Sequence, residues 1–103
     1  MSERARALHD SPWLGTFYVT GGGSELLSEV LSTPGASATV LEATVPYAET
    51  ALAEVLGKTP EQATSSLTAR ELAMAAFERA QQLGAGKLFG LGLTASLATN
   101  REK

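Results

Sequence analysis

The sequence predicts a single α/β domain, a layered arrangement with a small, largely parallel sheet and helices packed on it. Three observations predict it. Short runs rich in β-branched and aromatic residues alternate with segments of helical period, the pattern of β-α-β units. The hydrophobic fraction is 44% and the mean hydropathy +0.02, which supplies a core without the bias of a disordered chain. A length of 103 residues fits one domain near the lower end of the common range. The expected organisation is a loose polar leader over 1–12 and the domain over 13–103.

Within the leader, Asp10-Ser11-Pro12 reads as a turn, preceded at most by one short helical turn, and His9 reads as a solvated side chain. Residues 14–20 form the first strand, stopped by three glycines and expected to be buried on both faces. From Ser24 the period becomes helical, with Leu26, Leu27, Val30 and Leu31 on one face, Ser24 as N-cap and Glu25 suited to the positive end of the dipole. Pro34-Gly35 ends that helix.

A second strand is expected over 38–45, ending before Pro46. A helix follows over 48–56 with Ala51, Leu52, Val55 and Leu56 inward, terminated by Gly57. Thr59-Pro60-Glu61-Gln62 has capping-box spacing and predicts a short helical turn. A second box, Thr68-Ala69-Arg70-Glu71, opens a helix to Leu83 with Leu72, Ala73, Ala76, Phe77 and Ala80 inward. The third strand covers 87–94, and its interior glycines Gly90 and Gly92 imply close approach of another backbone or a ligand. Three strands make a thin sheet, and the polar end from Asn100 offers nothing to cover its edge.

Composition excludes several chemistries. There is no cysteine, hence no disulfide framework, thiol nucleophile or cysteine-built metal site. His9 is the single histidine, too little for a catalytic triad or a histidine metal cluster, so no metal and no cofactor are expected. The net charge is −3 with no long run of like charge, so no nucleic-acid partner is expected. No apolar run approaches about 18 residues and the N-terminus lacks a signal-type apolar region, so no membrane partner is expected and the expected compartment is cytoplasmic.

In open α/β sheets ligands gather at the carboxyl ends of strands. Three segments converge there: Thr20 to Ser24, Pro46-Tyr47, and Thr94 to Thr99. Gly21, Gly22 and Gly23 leave backbone N–H groups unshielded ahead of a helix N-terminus, which favours an anion. The same glycines equally suit a tight turn that needs positive φ, and the pattern matches no established phosphate loop. Thr20 and Ser24 carry hydroxyls that act as nucleophiles only if a base removes the proton, with Ser24 also read as a simple cap. Tyr47 is either a core aromatic or a site residue.

These residues resemble the C-terminal domain of the competence/damage-inducible CinA family, whose active members are nicotinamide mononucleotide deamidases. Val19-Thr20-Gly21-Gly22-Gly23-Ser24, with the helix to Thr33-Pro34-Gly35-Ala36-Ser37, is similar to the family's first strand, Ser-Cys-Thr-Gly-Gly turn and Pro-Gly-Ser-Ser segment. Leu41-Glu42-Ala43-Thr44-Val45-Pro46-Tyr47 is similar to its Gly-Gly-Val-Val-Ala-Tyr strand, and Gly90-Leu91-Gly92-Leu93-Thr94 to its glycine-rich strand. The similarity spans residues 14–99.

The resemblance implies Thr20 at the nucleophile position, Tyr47 as the orienting or deprotonating group, and Gly21, Gly22, Gly23, Ser24 and Thr94 as ligand contacts. It implies a pyridine-nucleotide-like small-molecule ligand, with weak or no amidohydrolase activity. The alternative is a non-catalytic sensor or assembly module, or a degenerate shortened domain. The departures are chemical: threonine stands where the family has serine, and Leu52 where it has lysine. Ala95-Ser96-Leu97-Ala98-Thr99 replaces a glycine-rich segment. Family domains run longer, so their C-terminal strands are expected to be missing here. The bare third strand implies edge pairing with a second copy and a homo-oligomer.

Overall fold

The computed structural model describes residues 3–20, 23–62, 65–94 and 97–101. Helix α1 (Glu3–His9) leads into strand β1 (Leu14–Val19), helix α2 (Ser24–Ser32), a short 3-10 turn (Ala36–Ala38) and strand β2 (Val40–Thr44). Helices α3 (Glu49–Leu56) and α4 (Ser66–Leu83) follow, then strands β3 (Leu88–Leu93) and β4 (Leu97–Arg101). The sheet order is β2-β1-β3-β4, with β1 parallel to both β2 and β3, and β4 antiparallel to β3. The α/β layered class is therefore the observed one, with a mixed sheet of four strands.

The fourth strand corrects the sequence expectation of a bare third strand. β4 pairs Phe89 with Arg101 through to Leu93 with Leu97, so β3 is internal. Thr99 accordingly lies inside a strand and not in a loop after β3. The exposed edges are β2 and β4.

Alternation along the strands assigns the faces. Thr16 and Tyr18 of β1, with Leu88, Gly90 and Gly92 of β3, face α4. There α4 brings a stripe of small side chains, Ala69, Ala73, Ala76 and Ala80, all nearly inaccessible. A Cβ on Gly90 would lie 2.1 Å from the Phe77 nitrogen, and one on Gly92 would lie 2.3 Å from the Ala69 carbonyl oxygen. The close backbone approach read from these glycines is the axis of α4 itself. Tyr18, Leu52, Leu72 and Ala76 form the core on this side, with Val55 and Leu56 of α3 packed against it.

Phe17, Val19 and Val30 form the core on the opposite face, with Leu26 and Leu27 of α2 and Leu8 of α1 around them. Leu31, expected on the inner stripe of α2, is instead 51% exposed. At β2 the register slips between Gly15 and Thr16, leaving Leu41 as an extra residue. That bulge turns Glu42 to the α4 face, where Arg79 of α4 meets its two carboxylate oxygens at 3.1 and 3.0 Å.

The leader is more ordered than its polarity implies. His9 is only 7% exposed, which corrects its reading as a solvated side chain. Its Nε2–H donates to the Val30 carbonyl at 2.9 Å, which fixes the tautomer, and Nδ1 pairs with the buried Thr39 hydroxyl. Gly35, at φ +98°, brings the turn after α2 against the same side chain, 3.1 Å from a Cβ placed there to His9 Cβ. His9 thus pins α1, the end of α2 and the entry to β2 together.

Two local expectations at α4 also change. Residues 59–62 are not helical, and α4 is capped by Ser65, whose Oγ accepts the Thr68 N–H at 3.1 Å. The Gln62 carbonyl accepts the Thr68 hydroxyl at 2.6 Å, so the incoming chain wraps the helix start instead of forming its own turn.

Candidate functional site at the carboxyl edge of the sheet

Helix α2, which follows β1, packs on the Phe17 face, while α3 and α4, which follow β2, pack on the Tyr18 face. Adjacent strands β1 and β2 therefore send their chains to opposite sides. The strand order β2-β1-β3 reverses at β1, so the carboxyl end of β1 borders the switch point at which open α/β sheets bind ligands. The Thr20 turn stands at that end of β1, and Pro46-Tyr47 follows the neighbouring β2.

Thr20 continues the β1–β3 ladder for one bond, its N–H donating to the Leu93 carbonyl at 2.9 Å. Its own carbonyl accepts the Gly23 N–H at 2.9 Å. Gly21 and Gly22 lie outside the described residues. Gly23 is buried at φ −105°, so it does not answer a need for positive φ. It answers a need for space: a Cβ there would be 1.8 Å from Val19 Cγ1 and 2.8 Å from Leu93 Cδ2.

Gly23, not Ser24, is the N-cap of α2, and as a glycine it has no side chain to accept from the first turn. This corrects Ser24 as a cap; it is the exposed first residue of the helix. α3 likewise begins at Ala48 without a side-chain cap, whereas Ser65 caps α4. Two of the three helices that start at this edge thus have N-cap residues that offer no side-chain acceptor to the first turn. Glu25 and Glu49 sit in those two first turns and supply part of the negative charge the dipoles favour.

The other predicted site residues separate. Tyr47 is 76% exposed, so it is not a core aromatic, and its N–H donates to the Val45 carbonyl at 2.9 Å in a tight turn. Among the described residues no hydrogen bond joins Tyr47 to Thr20. Thr94, at the end of β3, is 2% exposed and faces inward. Leu52, where the resemblance implies a lysine, is 3% exposed between Tyr18, Leu72 and Ala76. Lys58 is paired with Glu71.

Ser65 and Thr68 share this edge; Thr68 was expected to open the helix, and Ser65 was not singled out from the sequence. Their signal was the Ser-x-x-Thr spacing, hidden by the stronger box that begins at Thr68. Among the described residues no group of three or more His, Asp or Glu side chains is placed to hold a metal, and no helix is long and apolar enough to cross a membrane. In comparisons with family models, with curated proteins and with solved structures, nothing matches this chain.

Proposed function

We propose that the chain is a CinA-like binding domain that takes a pyridine-nucleotide-like ligand at the switch point beside the carboxyl end of β1, with little or no amidohydrolase activity. The observation that carries the reading is the start of α2. A glycine N-cap without a side-chain acceptor stands at the carboxyl end of an internal strand, where strand connections diverge. In this reading the α2 first turn meets the phosphate, while Thr20, Ser24 and Tyr47 border the crevice.

Weak or absent catalysis follows from what surrounds Thr20. A hydroxyl nucleophile needs a base within hydrogen-bond reach. His9 is committed to Val30 and Thr39 on another part of the fold, and Leu52 supplies no cation. The test is a titration with nicotinamide mononucleotide, following backbone amides by NMR and ammonia in parallel. Saturable shifts at Gly23 and Ser24 without ammonia are expected. Unmoved amides there sink the binding assignment, and ammonia release abolished by Thr20→Ala sinks the non-catalytic one.

A further inference from the structure

On the Phe17 face of the sheet a cleft of about 370 Å³ opens beside α1 and α2, over β3 and β4. Its floor is Phe17, Phe89 and Leu91, Leu8 and Leu26 line the helix side, and Trp13 closes one end. The cleft stays open for a local reason. Phe89 uses the space left by Gly15, where a Cβ would lie 2.1 Å from its ring. The ring lies across β1, edge-on to Phe17 at 5.5 Å between centroids and 86° between planes.

The mouth of this apolar cleft is cationic. Lys87 Nζ lies 5.6 Å and the Arg101 guanidinium 5.9 Å from the centre of the Trp13 ring. Arg4 lines the cleft too, and Glu29, the one carboxylate lining it among the described residues, meets Arg4 at 3.4 Å. Arg101 lines the cleft and Lys87, outside the lining, lies against the same Trp13 ring, so the Trp13 end is positive on a chain whose net charge is −3. Apolar depth with positive charge at one end fits a molecule of the complementary design.

We infer that this cleft binds an amphiphilic monoanion, an acyl carboxylate of about eight to ten carbons given a cavity at the small end of the ligand-pocket range. The tail lies over Phe89 and Leu91, and the carboxylate meets Arg101 at the Trp13 end. A flexible chain fits better than a flat ring. The Trp13 ring is already stacked by two cations, and the helix-side wall is branched aliphatic.

Trp13 is the single tryptophan, so its fluorescence reports the site directly. The intact chain is titrated with saturated carboxylates of increasing length, each below its micelle concentration, and with the matching alcohols. Affinity should rise about fourfold per methylene until the cleft fills near ten carbons and then level off. The alcohols should bind about tenfold more weakly, because they lack the charge-assisted contact. Arg101→Gln, at an exposed position, should lower carboxylate affinity about tenfold and leave that of the alcohols unchanged. Equal binding of acid and alcohol, affinity that climbs with length without a plateau, or no saturable change in Trp13 each overturns the proposal. So does a ligand-free dimer that buries Trp13. The cleft reaches the first turn of α2 at Leu26, so the two titrations are told apart by their probes and variants: Arg101→Gln should weaken the carboxylate and leave the nucleotide shifts at Gly23 and Ser24 unchanged.

Discussion

Gly90 of β3 and Ala73 of α4 meet backbone to backbone: a Cβ on Gly90 would lie 2.4 Å from the Ala73 carbonyl oxygen. Helix and strand approach this closely because neither side of the contact carries a side chain larger than methyl. The sheet is therefore set against α4 by the absence of atoms, and any added atom must push the two layers apart.

Gly90→Ala and Gly92→Ala should each destabilise by about 3 kcal/mol or more, at the severe end of overpacking. Gly57→Ala is the contrast, since its φ is +76° but nothing lies within 4 Å of an added Cβ. It should cost only about 1 kcal/mol. Urea unfolding of the three variants measures the difference; equal losses would refute the packing account.

His9→Ala should destabilise by about 2–3 kcal/mol, because it leaves the buried Thr39 hydroxyl without its ring partner and opens space beneath Gly35. A double-mutant cycle with Thr39→Val should show coupling near 1 kcal/mol or above. Additive losses would mean that the two side chains act separately.

Thr16 is fully buried and its hydroxyl has no hydrogen-bond partner among the described residues. Thr16→Val exchanges that orphan for a methyl of similar shape and should raise stability by about 1 kcal/mol. Thermal melting should then move up by about 4–8 °C. A lower melting temperature would show that the hydroxyl is satisfied in solution.

Glu42 is held below its ordinary carboxylate range, first by its hydrogen bond from Arg79, against a smaller opposing effect of burial. A depressed folded-state value stabilises the fold above the ordinary carboxylate range, and the gain disappears as pH falls through the folded value. The stability difference between the native chain and Glu42→Gln should therefore be flat from neutral pH to about pH 5 and shrink below about pH 4. Tyr18 carries the opposite sign: burial, then the Glu42 charge, raise its phenol. Its contribution holds at neutral pH and is lost as pH rises through that raised value. Denaturant midpoints across pH check both, and a Glu42→Gln difference that grows in acid would contradict the first.

Much of the central fold was legible because its signals were local. Leu14 to Val19 reads as a strand between turn residues, Gly57 marks the end of α3, and paired glycines announce a close neighbour before that neighbour is known. What escaped was decided by tertiary contacts. β4 contains Asn100 and Arg101 on opposite faces, Asn100 opposite Gly90 on the α4 side and Arg101 exposed opposite Phe89, polar residues that an antiparallel edge strand tolerates. α1 is too short for its period to stand out, and its two buried residues, Ala5 and His9, lie one turn apart. At the candidate site, Thr20 and Tyr47 were placed on the correct strand ends. Their separate surroundings depend on the β2 register and on α3, which no local pattern specifies.

The α4–β3 contact also bears on the order in which the molecule forms. α4 and β3 are joined by four residues, 84–87, so their alanine and glycine surfaces meet at little loop-closure expense. β4 then adds by a short return. β1, by contrast, must reach across more than half the chain to find β3. An α4–β3–β4 unit is the natural first assembly, onto which β1 inserts between β3 and β2. The candidate crevice at β1 and β2 thus comes into being last, at the seam where the early half of the chain joins a scaffold made by the late half.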